Sequence, residues 1–371
     1  MHSRSPRRPS IDFARRIIRW QRRHGRHDLP WQGTRDPYAI WLAEVMLQQT
    51  QVSTVVPYYQ RFRERFPDIA GLAAASEDEV LRLWSGLGYY SRARNLHRAA
   101  QLVVERHAGK FPDGLADIAD LPGIGRSTAA AIAGFAFGAR SAILDGNVKR
   151  VLARHFLVAG FPGDRAVEQQ LWALAESLVP TRDNAAYIQG LMDLGATVCT
   201  ARDPQCGRCP VHATCGAYAA DRVADFPAPR PRKEVPTRRT AMLVLRHGDE
   251  VMLEKRPSVG VWGGLWSFPE LARGEDASFL TTRRYGCETC RVERLGVLRH
   301  GFTHFTLHIT PLVAEVRRVA PRAAQPGVVW LPIAEAIGAA VPVPVRKLLR
   351  ALNGSAAADQ PTLFQEAVKD L

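Results

Sequence analysis

Four cysteines in one short run constrain this chain more than any other feature of its sequence. They are spaced as Cys199-x6-Cys206-x2-Cys209-x5-Cys215. Residues 1–10 lack the apolar core of an export signal, so we expect an intracellular protein, in which disulfides are disfavoured. Four thiolates held close together repel one another, and a bound metal centre relieves that repulsion. From the spacing alone, zinc and an iron–sulfur cluster remain alternatives.

The other two cysteines, Cys287 and Cys290, form a CxxC motif of their own. A zinc site built on such a motif needs a second pair of ligands at suitable spacing, and the neighbouring sequence offers none. We therefore expect both to be unligated thiols.

A segment rich in proline and arginine divides the chain into two parts. Residues 221–240 read DRVADFPAPRPRKEVPTRRT, which is typical of an extended, basic connector. Before it, amphipathic periodicity predicts successive helices, one of which carries Phe13, Ile17 and Trp20 on a single face. After it, short apolar runs between turn residues predict strands. These runs are Ala241–Leu245, Val251–Glu254, Phe305–Val313 and Val328–Leu331.

The length of 371 residues fits two domains of ordinary size. We predict a multidomain chain in which an all-α domain is followed by an α+β domain. The predicted bounds are 10–220 for the helical domain, 221–239 for the connector, 240–352 for the second domain and 353–371 for a flexible tail. The formal net charge of +14 favours a polyanionic partner such as nucleic acid. The uncharged stretch Ser127–Ala139 is too short to cross a bilayer, so no membrane association is expected.

A glycine-rich hairpin separates two of the predicted helices. The residues LPGIG at 121–125 interrupt one helical pattern and lead into the next at Arg126–Gly138. Gly123 and Gly125 allow the backbone to approach a ligand closely. Amides at the start of the second helix can bind a DNA phosphate without reading any base. An ordinary tight turn between two helices is the alternative.

Two acidic residues occupy positions suited to chemistry. Asp145, in the segment LDGNVKR at 144–150, directly precedes a periodic helix. There it is a helix N-cap, and the helix amides and dipole favour its ionised form. Glu44 lies on an otherwise apolar helix one turn before Gln48, and apolar surroundings raise the pKa of a carboxyl, as a general acid near neutrality requires. A plain N-cap and a buried, hydrogen-bonded structural glutamate are the alternatives.

The cysteine spacing, the LPGIG hairpin and the LDGNVKR segment together resemble the endonuclease III superfamily of helix-hairpin-helix DNA glycosylases. The resemblance implies a [4Fe–4S] cluster held by the four cysteines of the run. It also implies that Asp145 stabilises the sugar cation formed when the N-glycosidic bond breaks, with Asn147 beside it. Relatives that cleave the DNA strand as well carry a lysine where this chain has Ser127. We therefore expect a monofunctional enzyme that uses water.

Two further segments, WLAEVMLQQTQ at 41–51 and GLGYYSRARN at 86–95, resemble the A/G-specific adenine glycosylases of that superfamily. The resemblance assigns to Glu44 the protonation of adenine N7, which turns a poor leaving group into a good one. It assigns to Tyr89 a wedge position beside the oxidised guanine, and to Gln49 the other intercalating position. The resemblance implies that Trp31, Leu87 and Gln189 line or approach the pocket of the everted adenine. Gln48 and Ser127 are further predicted substrate-binding residues.

The segment EKRPSVGVWGGLWSFP at 254–269 resembles the Nudix-like domain of the same glycosylases. The sequence lacks the paired glutamates of a Nudix box, so pyrophosphate hydrolysis is not expected. In that family a Phe-Ser-His loop probes oxidised guanine, and this chain has Phe302, Thr303 and His304, in which threonine retains the hydroxyl group. By pattern alone, Phe302 and His304 are equally compatible with the core of a strand.

These features predict a base-excision repair adenine DNA glycosylase that acts on duplex DNA containing adenine opposite 8-oxoguanine or guanine. We expect a monomer in the bacterial cytoplasm, associated with the nucleoid. The residues QPTLF at 360–364 resemble the peptide by which bacterial repair proteins dock on the sliding clamp. One alternative is a glycosylase-lyase for oxidised pyrimidines, which Ser127 and the second domain disfavour. The other is a catalytically inactive DNA- or nucleotide-binding protein, which the presence of both Glu44 and Asp145 disfavours.

Overall fold

The computed structural model describes residues 9–231, 234–272, 274–318 and 326–355. The chain divides into two compact units, one grouping Met1–Ala74 with Asn95–Arg232 and the other grouping Ala75–Arg94 with Lys233–Leu371. The clamp-like residues 360–364 lie outside the described part of the chain. Within the described part, no helix combines the length and apolar character needed to span a membrane.

The described elements are helical before residue 226 and mostly strands after it. The α-helices are α1 Pro9–His24, α2 Pro37–Leu47, α3 Val52–Arg65, α4 Ile69–Ala74, α5 Glu77–Trp84, α6 Ser91–His107, α7 Leu115–Asp120, α8 Arg126–Ala136, α9 Gly146–Phe156, α10 Arg165–Ser177, α11 Asn184–Thr197, α12 Gly216–Ala219, α13 Ala277–Tyr285, α14 Ile333–Gly338 and α15 Val343–Ser355. Short 3-10 turns lie at Cys206–Arg208, His212–Thr214 and Val223–Asp225. The strands are β1 Thr237–His247, β2 Glu250–Lys255, β3 Trp266–Ser267, β4 Glu270–Leu271, β5 Glu288–Arg294, β6 Leu298–Gly301, β7 Thr306–Arg318 and β8 Val328–Pro332.

The core of the first unit forms where α1, α9 and α11 pack together. Phe13 and Ile17 of α1 are buried there, and Trp20 packs against the same core, as the periodicity of the sequence predicts. The buried residues Val148 and Leu152 of α9 belong to the same cluster. This packing holds the start of α9, and with it Asp145, in a fixed place.

α2 runs through the interior of the first unit. Asp36 is its N-cap and accepts a hydrogen bond from the backbone N of Tyr38 at 3.0 Å, while Pro37 occupies the first turn, where no amide partner is needed. The start of α2 therefore depends on two residues that are adjacent in the sequence, Asp36 and Pro37. Glu44 is the one charged residue of the eleven in this helix. The buried residues of α2 are Tyr38, Ala39, Ile40, Trp41, Leu42, Ala43, Val45 and Met46.

The predicted hairpin connects α7 to α8. Gly123 has a φ of +77°, and a Cβ atom added there would lie 2.8 Å from the Cβ of Asn95. Glycine is therefore required at this position by both the backbone conformation and the close approach. Gly125 is the N-cap of α8 and contributes no side-chain cap, so the first amides of α8 remain open for an external acceptor.

The second unit contains a mixed sheet with the strand order β3-β2-β1-β7-β5. β4 pairs with β1, β6 pairs with β7 and β8 pairs with β2. β1 and β7 run parallel, in a register from Thr237 opposite Thr306 to Arg246 opposite Glu315. The apolar runs in the sequence predict β1, β2, β7 and β8, while the short strands β3, β4 and β6 have no comparable pattern.

Residues 75–94 pack with the second unit although they lie within the first 220 residues of the chain. The hydroxyl of Ser85 donates to the carbonyl of Val341 at 3.0 Å and accepts from Arg346 Nη2 at 2.8 Å. Lys255 forms an ion pair with Asp78. A helical domain continuous from 10 to 220 does not describe this arrangement, because these contacts join residues more than 170 positions apart.

The start of the predicted connector is packed rather than extended. Phe226 is 6% exposed, and the buried side chain of Arg154 donates hydrogen bonds to the carbonyls of Val223 and Phe226. At its other end the predicted connector overlaps β1, which begins at Thr237. The proline- and arginine-rich segment correctly indicates where the chain divides into two units. The part of it that is neither packed nor in a strand is shorter than the sequence predicts.

Candidate active site

Glu44 has the environment of a general acid. Its carboxyl group is half-buried, and none of the described residues donates a hydrogen bond to it. Burial, and after it the negative charge of Asp145, raises the pKa of Glu44 to about 8. The predicted direction of the pKa shift is confirmed, and the hydrogen-bonded structural glutamate is not what the structure contains. Glu44 is therefore mainly protonated at neutral pH.

Asp145 is the N-cap of α9, as predicted. Its Oδ1 accepts a hydrogen bond from the backbone N of Val148 at 2.7 Å, and its Oδ2 accepts one from Asn147 Nδ2 at 3.2 Å. Burial raises the pKa of Asp145, while these hydrogen bonds and the charge of Arg150 lower it, with a net increase. The helix terminus favours the ionised form of Asp145, as expected. Burial has the larger effect on the pKa, and the sequence does not indicate this burial.

Both acids line one cleft of about 860 Å³ in the first unit. A second cavity of about 420 Å³ shares Arg26, Trp31, Glu44 and Gln189 with it. The structure thus brings together nine of the site residues assigned from the sequence. Those that line the cleft are Trp31, Glu44, Gln48, Gln49, Gly125, Ser127, Asp145, Asn147 and Gln189.

Two of the cleft residues hold neighbouring segments together. Ser127 Oγ accepts a hydrogen bond from the backbone N of Leu144 at 3.0 Å, next to Asp145. Gln48 Nε2 lies 3.4 Å from the carbonyl oxygen of Gly123, so the end of α2 is joined to the hairpin. Gln49 follows with a φ of +57° and an exposed side chain. Ser127 and Gln48 therefore support the shape of the cleft.

The four cysteines of the run surround one small apolar cavity. None of them forms a disulfide. Burial, and after it the neighbouring Cys199, Cys215 and Cys206 thiols, raise the pKa of Cys209 to about 12, while a backbone hydrogen bond at Val211 lowers it. Among the described residues, no three His, Cys, Asp or Glu side chains converge so as to hold a single metal ion.

Two arginines of α9 connect this cysteine loop to the helix that Asp145 caps. Arg154 Nη1 donates to Cys199 Sγ at 3.3 Å. Arg150 Nε donates to the carbonyl of Cys199 at 2.7 Å, and Arg150 Nη2 donates to Asn147 Oδ1 at 2.9 Å. The loop and the surroundings of Asp145 are therefore parts of one hydrogen-bonded network.

The remaining predicted site residues are not among those that line the cleft; Gly123 belongs to the hairpin of the first unit, and the others lie in the second unit. Leu87 is buried. Tyr89 is 47% exposed, has a φ of +49°, and its hydroxyl lies 3.0 Å from the hydroxyl of Thr303. Phe302 is half-buried and stacks on Phe305 with ring centroids 4.4 Å apart. Thr303 and His304 are exposed. Phe302 and His304 both lie between the end of β6 and the start of β7, so neither is a core residue of a strand.

Comparison with known proteins shows to which family this chain belongs. Residues 42–177 match the "HhH-GPD superfamily base excision DNA repair protein" family and residues 240–351 match the "NUDIX domain" family. The adenine DNA glycosylase of Buchnera aphidicola subsp. Acyrthosiphon pisum is 37% identical over 302 residues, covering 81% of this chain and 86% of the relative. The chain belongs to the adenine DNA glycosylase family. The human adenine DNA glycosylase is 33% identical over 406 residues, covering 92% of this chain and 74% of the relative.

A solved structure supports the fold of the part of the chain that it covers. A thermostable thymine-DNA glycosylase matches with a TM-score of 0.51 and 31% identity, covering 57% of this chain and 97% of that one. The predicted fold class, a helical helix-hairpin-helix domain followed by a Nudix-like domain, is confirmed. The protein is a base-excision repair enzyme that releases adenine from DNA.

Two residues at this site, Arg26 and Asp193, were not predicted from the sequence. Arg26 lines both cavities, and its guanidinium forms an ion pair with the fully buried Asp193 at 2.7 Å. Asp193 is the one acid in the apolar sequence NAAYIQGLMDLGAT of α11. An isolated acid on an apolar helix is the same signal that identified Glu44, and it could have identified Asp193.

The cleft combines two complementary kinds of carboxyl group. Glu44, with a pKa of about 8, has a proton to donate at neutral pH. Asp145 accepts hydrogen bonds from Val148 and Asn147, which favour its charged form. Carboxyls whose environments separate their pKa values can act as an acid and as an anion in the same reaction. Such a site can protonate a leaving group and stabilise a positive charge.

Proposed function

We propose that the enzyme removes adenine paired with 8-oxoguanine or guanine, and that it does so by hydrolysis alone, leaving an abasic site. The observation that carries this proposal is the meeting of Glu44 and Asp145 in one cleft of about 860 Å³. Adenine inside a duplex is inaccessible, so the nucleotide must turn out of the helix to enter the cleft. Trp31 and Gln189, which line the cleft, would then contact the base, and the resemblance also assigns Leu87 to substrate binding.

In the proposed reaction, Glu44 donates its proton to N7 of the everted adenine. Protonation lets the electron pair of the breaking N-glycosidic bond move onto the base as it departs. The sugar left behind is positively charged, and the Asp145 carboxylate stabilises it. Asn147 keeps Asp145 oriented through the 3.2 Å hydrogen bond. Water then bonds to the sugar carbon and loses a proton, which restores the acid form of Glu44.

The absence of a nucleophilic amine supports hydrolysis without strand cleavage. Ser127 occupies the position of the lysine of strand-cleaving relatives, and its hydroxyl accepts from Leu144 N. No lysine occurs among the described residues that line the cleft. A Schiff base to the sugar therefore has no amine to form it.

One assay tests this proposal. The full-length protein is incubated with duplexes that carry adenine opposite 8-oxoguanine, guanine or thymine, with and without borohydride. We expect adenine release from the first two duplexes, intact strands before alkali treatment, and no covalent adduct. Release from the adenine–thymine duplex at an equal rate would refute the mispair specificity, and a borohydride-trapped adduct would refute the hydrolytic mechanism.

We assign Gln49 of the first unit as an intercalating residue. For recognition of the opposite base, we assign Tyr89, Thr303, Phe302 and His304 of the second unit. The contact that supports this is the 3.0 Å approach of the Tyr89 and Thr303 hydroxyls, which come from segments 214 residues apart. Both side chains are exposed, so they can reach a ligand. Phosphate contacts would come from the hairpin at Gly123 and Gly125, through the open amides of α8.

Replacing Thr303 tests this assignment. Thr303→Val keeps the shape of the side chain but removes the hydroxyl, so we expect the preference for 8-oxoguanine over guanine opposite adenine to fall about tenfold. Thr303→Ser keeps the hydroxyl and should retain the native preference. The measurement is the ratio of single-turnover rates on the two duplexes. A native ratio in Thr303→Val would remove Thr303 from the recognition surface.

We also propose that the cysteine loop holds a [4Fe–4S] cluster. The residues fit this group: four free thiols line one cavity, and Arg154 places a positive charge 3.3 Å from Cys199 Sγ. In such a cluster each thiolate binds a different iron, so the sulfur atoms need not converge on one point, in agreement with the side-chain arrangement. When bound, the cluster would hold the parts of the loop together, and the hydrogen bonds of Arg150 and Arg154 to Cys199 join that loop to α9.

Metal analysis of the purified protein checks this proposal. We expect iron and sulfide in the ratio that a [4Fe–4S] cluster requires, with its visible absorption. Cys209→Ser should lose the iron, because Cys209 is a proposed ligand, whereas the exposed Cys290→Ser should retain it. A native protein that contains zinc and no iron would overturn the assignment.

A further inference from the structure

Asp193 lies directly behind the candidate adenine pocket. Its side chain is fully buried, although aspartate is among the residues least often found without solvent exposure. Asp193 Oδ1 accepts hydrogen bonds from Arg26 Nε at 2.7 Å and from Gln189 Nε2 at 2.9 Å, and Oδ2 accepts one from the backbone N of Arg26 at 3.0 Å. Asp193 therefore holds two residues that line the cleft.

The backbone near Arg26 is built for this contact. A Cβ atom added at Gly25 would lie 3.0 Å from Asp193 Oδ2 and 2.6 Å from the carbonyl oxygen of Gln21. Glycine at this position lets the chain come close enough for the amide of Arg26 to reach the carboxylate. The buried charge is consequently paired and hydrogen-bonded on more than one side, as a buried carboxylate requires.

The contact with Asp193 also determines which way the Gln189 amide points. A carboxylate paired with a guanidinium only accepts hydrogen bonds, so the group that faces Asp193 must be the NH2 of Gln189. The amide oxygen lies on the other side of the same carbon atom. None of the described residues donates to that oxygen, and Gln189 lines both cavities. The amide oxygen of Gln189 is therefore a hydrogen-bond acceptor available to a ligand in the cleft.

An oriented acceptor distinguishes between purines. Adenine carries an exocyclic amine, which is a donor, whereas hypoxanthine has a carbonyl oxygen at the same position and otherwise nearly the same shape. An acceptor facing the amine forms a hydrogen bond, while an acceptor facing the carbonyl leaves two oxygens unpaired and close together. We propose that Asp193 is a positioning residue that gives the enzyme its selectivity for a base with an exocyclic amine, by fixing the orientation of the Gln189 amide. This inference rests on the proposed function, because it takes the cleft as the adenine site.

Replacing Asp193 with asparagine tests the proposal. The asparagine amide can donate as well as accept, so the Gln189 amide is free to turn over. Single-turnover release is measured for adenine and for hypoxanthine, each placed opposite 8-oxoguanine in the same duplex. We expect the adenine-to-hypoxanthine rate ratio of the full-length Asp193→Asn protein to fall about tenfold, the size of one lost neutral hydrogen bond. A structural defect alone would lower both rates together and leave the ratio unchanged.

Three further variants complete the test. Asp183→Asn removes an exposed ion pair at the start of the same helix and should keep the native ratio. Gln189→Ala should lower the ratio as Asp193→Asn does, and adding Asp193→Asn to Gln189→Ala should change it no further. Should Asp193→Asn fail to fold, the ratio in Gln189→Ala alone still decides, since an unchanged ratio there refutes the proposal.

Different results would contradict the proposed function and the role of Asp193. If the native protein releases no adenine opposite 8-oxoguanine, the proposed function is wrong. If the native protein is active and Asp193→Asn retains its rate ratio while Gln189→Ala loses it, the role of Asp193 is wrong and the proposed function remains.

Discussion

Replacing Glu44 with glutamine is expected to lower the single-turnover rate of adenine release by about 10² to 10⁴-fold, the usual contribution of a general acid. Glutamine keeps the size of the side chain and removes its acidic proton. In the native enzyme the rate should fall as the pH rises above about 8, because the pKa of Glu44 is raised to about 8. This pH dependence should disappear from the residual activity of the variant.

The matched control for this prediction is Glu64→Gln, which changes an exposed glutamate on α3 of the same unit and should leave the rate unchanged. A rate for Glu44→Gln within a few-fold of the native value would show that another group supplies the proton. Measuring release on a duplex with adenine opposite 8-oxoguanine avoids any contribution from product dissociation, provided that enzyme is in excess.

The same substitution should stabilise the protein, which separates loss of chemistry from loss of folding. The pKa of Glu44 rises from its usual 4.5 to about 8 on folding, so between these values the native state holds a proton that the unfolded chain has released. The stability of the native protein therefore falls as pH rises through this range, by at most about 1.4 kcal/mol per pH unit. Glutamine does not titrate, so the Tm of the variant should exceed the native Tm by a margin that widens from pH 5 to pH 8.

Replacing Asp145 with asparagine is expected to slow adenine release by about 10² to 10³-fold, comparable to the removal of one preorganised group that stabilises transition-state charge. Asparagine is as good an N-cap as aspartate, so α9 should remain formed. The variant should also show a lower pKa for Glu44, because the negative charge of Asp145 contributes to raising it. The fall in residual rate should accordingly begin at a lower pH than in the native enzyme.

The matched control is Asp276→Asn, which changes the N-cap of α13 in the second unit, where the carboxylate accepts from Phe279 N at 2.9 Å. It should leave both the rate and its pH dependence unchanged. An Asp145→Asn protein whose rate falls while its pH dependence stays at the native position would show that the two carboxyls do not interact as the structure indicates.

Local features of the molecule follow closely from the sequence. The start of α2 depends on Asp36 and Pro37, the N-cap of α9 on Asp145, and the hairpin on glycines at 123 and 125. Each of these involves hydrogen bonds or backbone angles among residues a few positions apart. The direction of the Glu44 pKa shift also follows, because the apolar residues around it belong to the same helix.

Other features depend on packing between distant segments. The contact of Asp193 with Arg26 joins residues 167 positions apart, and residues 75–94 pack with strands and helices that come more than 150 residues later. The net increase in the pKa of Asp145 has the same origin, because its capping bonds are local whereas its burial comes from neighbouring helices. No periodicity or spacing encodes these contacts directly.

The sequence by itself determined the kinds of helix and strand, the division into two parts, the family and the two acids suited to the chemistry. Only the tertiary structure decided that these acids share a cleft, that the Gln189 amide is oriented from behind by Asp193, and that Tyr89 meets Thr303. The physical reason is the separation along the chain of the residues that interact. Caps, turns and amphipathic faces form between near neighbours in the chain, whereas burial and charge interactions depend on which distant surfaces the hydrophobic core brings together.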